Sequence, residues 1–212
     1  MKNLKMYING EWVESASGKT IFVINPSTGE KVAEVPMGTE QDIDIAVRSA
    51  REAFESELWQ QTFRPHERGY ILLEIAAKIR ENKAGLAKLE TIDVGKPLSQ
   101  AYADVEAAAR YFEYYAGMAD KILGETIPVE YGIIDYTVRE PVGVTAHIIP
   151  WNYPIQIISR SVAAAIATGN ACVVKPAEDT PLTALKLAEL FADTKLPKGI
   201  LNIVTGYGYD AG

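Results

Sequence analysis

Three short segments hold the side chains whose types and spacing suit chemistry: Pro150–Pro154, Lys175–Glu178 and Gly206–Gly212. In the first, Asn152 stands among apolar and proline residues in the run Pro150-Trp151-Asn152-Tyr153-Pro154. A buried amide without partners costs about 1–3 kcal/mol, so its amide has two uses. It caps its own turn, or it donates to an oxyanion that develops during a reaction. In the second segment, Lys175 and Glu178 flank Pro176-Ala177. A lysine donor and a carboxylate acceptor suit the two hydroxyls of a ribose, and the carboxylate would repel a 2′-phosphate, favouring NAD over NADP. The alternative is a solvated lysine–glutamate pair on a loop. The third segment, Gly206-x-Gly208-x-x-x-Gly212, does not have the G-x-G-x-x-G spacing. It reads as a plain strand-to-helix turn or, from its position after a strand, as part of a ligand site.

Other reactive types read as structural. Cys172 lies inside the apolar run Ala171–Val174, whereas a reactive thiol needs an electropositive, partly open setting. His147, within Val142–Ile149, reads as a packed or boundary residue. Tyr111, Phe112, Tyr114 and Tyr115 form an aromatic cluster suited to a core or a subunit interface.

Ligands of open α/β sheets bind at the carboxyl ends of the strands, so the elements preceding each segment matter most. Between Pro141 and Val174, Arg160 is the only charged residue in 34. Val142–Ile149 reads as a strand, Ile155–Thr168 as a helix closed by Gly169-Asn170, and Ala171–Val174 as a buried strand. Thr180-Pro181 reads as the N-cap and first residue of a helix through about Ala192, and Leu201–Val204 as a third strand. Apolar strands alternating with helices predict a doubly wound, Rossmann-like parallel sheet covered on both faces. The unit is βαβαβ, and a helix should follow Gly206.

Upstream, Leu4–Ile8 and Glu11–Val13 flank Asn9-Gly10, a hairpin turn pair. Thr20–Ile24 and Lys31–Pro36 flank a second run of turn formers. Helices are expected from Thr39, which is a plausible N-cap, and over about Pro65–Asn82, Ala84–Val94 and Leu98–Met118. Thr126–Glu130 and Ile134–Glu140 around Tyr131-Gly132 predict an exposed hairpin that projects toward a partner. The expected division is therefore 1–124, N-terminal strands and helices of a coenzyme-binding domain; 125–140, the hairpin; and 141–212, the dinucleotide-binding unit.

The chain has 21 basic and 28 acidic residues, a net charge of −7. No basic cluster invites nucleic acid or an anionic membrane. One cysteine and two histidines argue against a disulfide framework or a multi-histidine metal site. The uncharged run Pro141–Ser159 is too polar and proline-broken for a membrane span. The expected setting is soluble, reducing and cytoplasmic.

Several long motifs, in order, resemble the aldehyde dehydrogenase superfamily. They are Tyr7-Ile-Asn-Gly-Glu-Trp12, Asn25-Pro-Ser-Thr-Gly-Glu30, Glu140-Pro-Val-Gly-Val144, Pro150-Trp-Asn-Tyr-Pro154, Ala167-Thr-Gly-Asn170, Lys175-Pro-Ala-Glu178, Thr180-Pro-Leu-Thr183 and Leu196-Pro-Lys-Gly199. The resemblance implies oxidation of a small-molecule aldehyde to its acid with NAD, through a cysteine thioester hydrolysed by glutamate-activated water. It implies Asn152 as oxyanion donor, Lys175 and Glu178 at the adenine ribose, Ile148, Ile149, Pro150 and Trp151 along the dinucleotide, and Gly208 beside the adenine. It further implies an oligomerisation arm at 125–140, hence a homodimer or homotetramer. A monovalent-cation site near Ile24, Asp93 and Asp179 is implied as well.

Two departures stand out. Many members have lysine where this sequence has Ser161, preceded by Arg160; a guanidinium is too basic to replace that lysine in proton handling. The change is read as the mark of a subgroup acting on particular aldehydes, aromatic ones among them. Neither the family's nucleophilic cysteine nor its glutamate base is found, so both are expected beyond Gly212, with the catalytic domain. The expectation is an N-terminal portion, inactive and unstable or associated by itself. The rival reading is an inactive fragment that binds dinucleotide or docks on a partner. An ordinary Rossmann alcohol or hydroxyacid dehydrogenase is disfavoured by the missing G-x-G-x-x-G after the first sheet strand.

Overall fold

The computed structural model describes residues 2–212. Five short strands come first: β1 (Lys2–Asn3), β2 (Met6–Ile8), β3 (Glu11–Val13), β4 (Thr20–Ile24) and β5 (Lys31–Pro36). Four helices follow: α1 (Glu40–Glu55), α2 (Pro65–Glu81), α3 (Lys83–Val94) and α4 (Leu98–Met118). A small hairpin, β6 (Thr126–Ile127) and β7 (Asp135–Tyr136), leads into β8 (Val144–Ile149), α5 (Pro154–Ala167), β9 (Ala171–Pro176), α6 (Leu182–Ala192) and β10 (Leu201–Ile203). A single helical turn, α7 (Gly208–Ala211), begins within the glycine-rich segment, two residues after Gly206.

The helices start and stop for local reasons. At the head of α1 the Asp42 carboxylate accepts from the Thr39 amide and hydroxyl, each at 2.9 Å, in the manner of a capping box. Pro65 and Pro154 occupy first-turn positions, where a missing N–H costs nothing. Gly169, at φ +87°, takes the left-handed conformation that ends α5. Asn170 then fixes the return to the sheet by accepting from the Gly143 amide at 2.9 Å.

The main sheet has the order β3-β2-β10-β9-β8. Strands β8, β9 and β10 are parallel, as the alternating pattern predicts. The sheet as a whole is mixed, however, because the N-terminal hairpin β2–β3 pairs antiparallel on β10, with Tyr7 opposite Ile203. Its turn uses Asn9 and Gly10 at φ +52° and +73°, the pair of positive angles that a two-residue hairpin requires. The buried Asn202 side chain pins this turn by accepting from the Asn9 amide at 2.9 Å. Strands β9 and β10 are buried throughout. Among the described residues β8 is an edge strand, and its Ala146 and Ile148 are exposed. A second, three-stranded sheet joins β1, β5 and β4.

Helix α4 packs between α2 and α5, and Phe112 meets Phe191 of α6 edge to face at 5.6 Å. Of the expected aromatic cluster only Phe112 enters the core; Tyr114 is exposed. A π-helical turn at Leu58–Thr62, unanticipated from the sequence, buries Trp59 and points its indole N–H at the Gly169 carbonyl, 2.7 Å away. Every residue from 121 to 142 is exposed, so β6–β7 stands off the body as a projecting arm, with ladder pairing reduced to two residues per strand.

Candidate active site

The carboxyl ends of β8, β9 and β10 bring all three chemically suggestive segments to one rim. Register does this: Ile148 lies opposite Lys175 and Ile149 opposite Pro176, while β10 pairs with β9 through Ile203 and Val174. Pro150–Tyr153 leave β8 as a loop feeding α5. Gly206 leaves β10 at φ +150°, where a Cβ would come within 2.9 Å of both the Gly38 carbonyl oxygen and the Ala211 Cβ. Gly208 then opens onto free space at the start of α7.

Lys175 is part of β9 rather than of the loop beyond it, and it is buried. Its ammonium reaches the rim between the Pro176 carbonyl at 3.2 Å and Glu178 Oε2 at 3.3 Å. Only the carboxylate end of the pair is open to solvent, which differs from a wholly solvated loop pair. Beside it, Ile148 and Trp151 present apolar surface, 73% and 61% exposed.

Asn152 departs from the premise that placed it. Its side chain is exposed, not buried, because its neighbours Pro150 and Trp151 also face outward. What is held is its main chain: the Asn152 carbonyl oxygen accepts from Lys96 Nζ at 3.0 Å. Lys96, between α3 and α4, also reaches Asp104 Oδ2 at 2.6 Å and Glu90 Oε1 at 3.3 Å. Its ammonium lies 4.3 Å from the centre of the Tyr153 ring. Gln156 donates to the other oxygen of Asp104 at 2.7 Å, and Thr183 to the other oxygen of Glu90 at 2.8 Å. Burial pushes the Glu90 carboxyl up, against the pull of Thr183 and Lys96. Sequence reasoning missed this cluster. Its trace was there, in carboxylates lodged on apolar helical stripes: Glu90 with Leu86 and Ala87, and Asp104 with Ala101, Val105 and Ala108.

Ile24, Asp93 and Asp179 line one cavity of about 300 Å³, together with Thr180 and Trp151. The buried Asp93 accepts the Leu182 and Thr183 amides on Oδ2, at 2.9 and 3.4 Å. It therefore caps α6 from another helix. The expected cap, Thr180, does not act as one: the cap position falls on Pro181, and the Thr180 hydroxyl has no partner. Asp93 Oδ1, itself buried, is likewise without one, and burial raises the carboxyl well above the usual range. Among the described residues, no three of the His, Cys, Asp and Glu side chains are grouped to hold a metal ion.

Three further residues are accounted for structurally. Cys172 is fully buried, and burial pushes its thiol up to about 12, far from a thiolate at neutral pH. His147 shares a 2.9 Å hydrogen bond with the Thr145 hydroxyl, and burial lowers its pKa. Ser161 turns its hydroxyl back onto the Ile157 carbonyl at 2.9 Å, within its own helix. A second cavity, of about 160 Å³, opens beside Tyr153 between Tyr111, Gln156, Ile157 and Arg160. Among the described residues, no helix is long and apolar enough to cross a membrane.

The profile of the aldehyde dehydrogenase family matches residues 12–212. The chain is 48% identical over 207 residues to hydroxyisobutyraldehyde dehydrogenase from Mycolicibacterium austroafricanum, covering 98% of this chain and 40% of that protein. It is 44% identical over 213 residues to the cytosolic aldehyde dehydrogenase 1 of Elephantulus edwardii, covering 100% of this chain and 42% of the relative. The NAD+ complex of aldehyde dehydrogenase from Bacillus cereus superposes with a TM-score of 0.96 at 44% identity, covering 99% of this chain and 43% of that one. The chain thus spans about 40% of the length of the curated relatives it matches.

Proposed function

The chain belongs to the aldehyde dehydrogenase family, and from that premise we propose that the complete protein oxidises a small-molecule aldehyde to a carboxylic acid with NAD. The observation that carries this reading is the convergence of Pro150–Tyr153, Lys175–Glu178 and Gly206–Gly208 at the carboxyl ends of three parallel strands. That rim is where open α/β sheets bind their ligands.

NAD, when bound, supplies the acceptor for the hydride. The residues present fit it. Lys175 and Glu178 offer a donor and an acceptor to the adenine ribose, and the Glu178 carboxylate opposes a 2′-phosphate, which favours NAD over NADP. Ile148, Ile149, Pro150 and Trp151 supply the surface along the dinucleotide, two of them as exposed apolar faces. Gly208, with open space where a Cβ would stand, admits the adenine.

Asn152 is the catalytic residue of this portion. Its exposed amide donates to the oxygen of the aldehyde carbonyl as that oxygen gains charge, the kind of stabilisation that is strongest when the donor is already in place. The thiol attack itself is not assigned to Cys172, whose buried side chain stays protonated. The 212 residues accordingly bind dinucleotide without turning it over. A monovalent cation fits the cavity at Ile24, Asp93 and Asp179, where Asp93 Oδ1 and the Thr180 hydroxyl make no hydrogen bond within the protein. The hairpin 125–140 serves as the contact arm of a homodimer or homotetramer. A cytoplasmic setting fits the acidic, cysteine-poor composition.

The test is dinucleotide binding by the chain itself, once circular dichroism shows it folded, followed through tryptophan fluorescence and calorimetry. Saturable NAD binding without aldehyde-dependent reduction is expected. A chain that binds neither NAD nor NADP would sink the site assignment.

A further inference from the structure

We propose that Lys96 is the positioning residue of the oxyanion donor, clamping the Asn152 backbone so that its exposed amide keeps one direction. This rests on the reading of Asn152 as that donor. An ammonium has three N–H bonds to give, and the cluster supplies three acceptors: Glu90, Asp104 and the Asn152 carbonyl. The carboxylates are themselves held from behind by Thr183 and Gln156. Helices α3 and α4 therefore meet at one ammonium, with α5 and α6 tied to its carboxylate partners, and its third bond goes to the main chain of the loop that carries the exposed Trp151 and Asn152.

Stability alone does not explain such a device. The Lys96 side chain is 6% exposed and its carboxylate partners 0% and 4%, and a buried ionic cluster commonly gives no more stability than apolar residues of the same volume. What it gives here is a fixed direction. The charge-assisted bond holds the peptide after Asn152, and the Tyr153 ring lies against the same ammonium. The bond fixes the backbone from which the Asn152 side chain extends. Glu90 joins the clamp to α6 through Thr183, so the helix capped by Asp93 is tied to the same point.

The experiment is a double-mutant cycle in the complete enzyme. Lys96→Met keeps the length and packing of the stem while removing the donor. Its expected effect is a fall in kcat for aldehyde oxidation of about 10²-fold, the scale of a 1 Å misplacement, with the KM for NAD unchanged. Asn152→Ala alone should cost about 10²–10³-fold in kcat, and adding Lys96→Met to it should cost nothing more. Losses that multiply, or an unchanged kcat in Lys96→Met, overturn the proposal. An Asn152→Ala enzyme with full kcat removes the oxyanion reading on which it stands, a different failure that the same cycle identifies. Lys96→Met leaves two buried carboxylates unpaired. Should it not fold, the charge-neutral combination Lys96→Met, Glu90→Gln and Asp104→Asn carries the same cycle, with circular dichroism confirming the fold.

Discussion

A single carboxylate is enough to set coenzyme preference if it stands where a 2′-phosphate would go, the place proposed for Glu178, which a buried lysine holds at the strand end. The 3.3 Å contact with Lys175 fixes the carboxylate at the strand end rather than leaving it to sample the loop. Glu178→Gln keeps the acceptor oxygen for a ribose hydroxyl and removes the charge that repels phosphate. The expected outcome is a narrowed ratio of NAD to NADP affinity, gained mainly on the NADP side, read by calorimetry on both coenzymes. An unmoved ratio would take the adenine ribose away from this pair. At this scale the sequence was legible in the burial that disqualifies Cys172, which follows from its place in an apolar strand. It misled at Asn152. Apolar neighbours suggested a buried amide, but Trp151 is apolar and exposed, so hydrophobic company was no measure of burial. Lys96 was illegible because a lysine between Gly95 and Pro97 looks like punctuation, and its three partners come from elsewhere in the chain.

Elements inherit their ends from local chemistry when the capping group is close in sequence, and from the tertiary fold when it is not. Helix α1 is the first kind, with Thr39 and Asp42 three residues apart. Helix α6 is the second, since Asp93 on α3 receives its first amides from 89 and 90 residues away. That is why a threonine–proline pair at its start was read as a cap although the Thr180 hydroxyl makes no such bond. Asp93→Ala should therefore cost about 0.5–2 kcal/mol, the usual worth of a lost N-cap. Asp93→Asn, which keeps an acceptor for the Leu182 amide, should cost less. Chemical denaturation of the two variants decides it, and equal losses would mean that the carboxylate does not act as the cap. The same distinction explains the sheet. Periodicity located the three parallel strands, yet nothing local could reveal that β2 completes their sheet from the other end of the chain, since pairing is decided by which edge is left open.

Among the described residues, the main sheet has the β2–β3 hairpin on one side and β8, with exposed Ala146 and Ile148, on the other. The body also carries an arm that contributes nothing to its own core: residues 121–142 are exposed throughout, among them Tyr131, Ile134, Tyr136 and Val138. A two-stranded hairpin is at best marginally stable by itself in water. Contiguous apolar exposure of this kind marks an interaction surface. Its internal support is thin, a two-residue ladder with the Arg139 guanidinium on the Leu123 carbonyl and the Thr137 hydroxyl on the Glu125 amide. In the assembly proposed above, a second copy of the chain covers these apolar side chains, offering the same face by symmetry. Replacing residues 126–137 of the complete enzyme with a short glycine–serine linker should lower its assembly state in light scattering. NAD binding should survive, because the rim at β8, β9 and β10 makes no use of the arm. An assembly of unchanged mass would assign the subunit contact elsewhere. Loss of NAD binding together with assembly would mean that the coenzyme rim depends on the neighbouring subunit, and that the arm shapes the site as well as joining the copies.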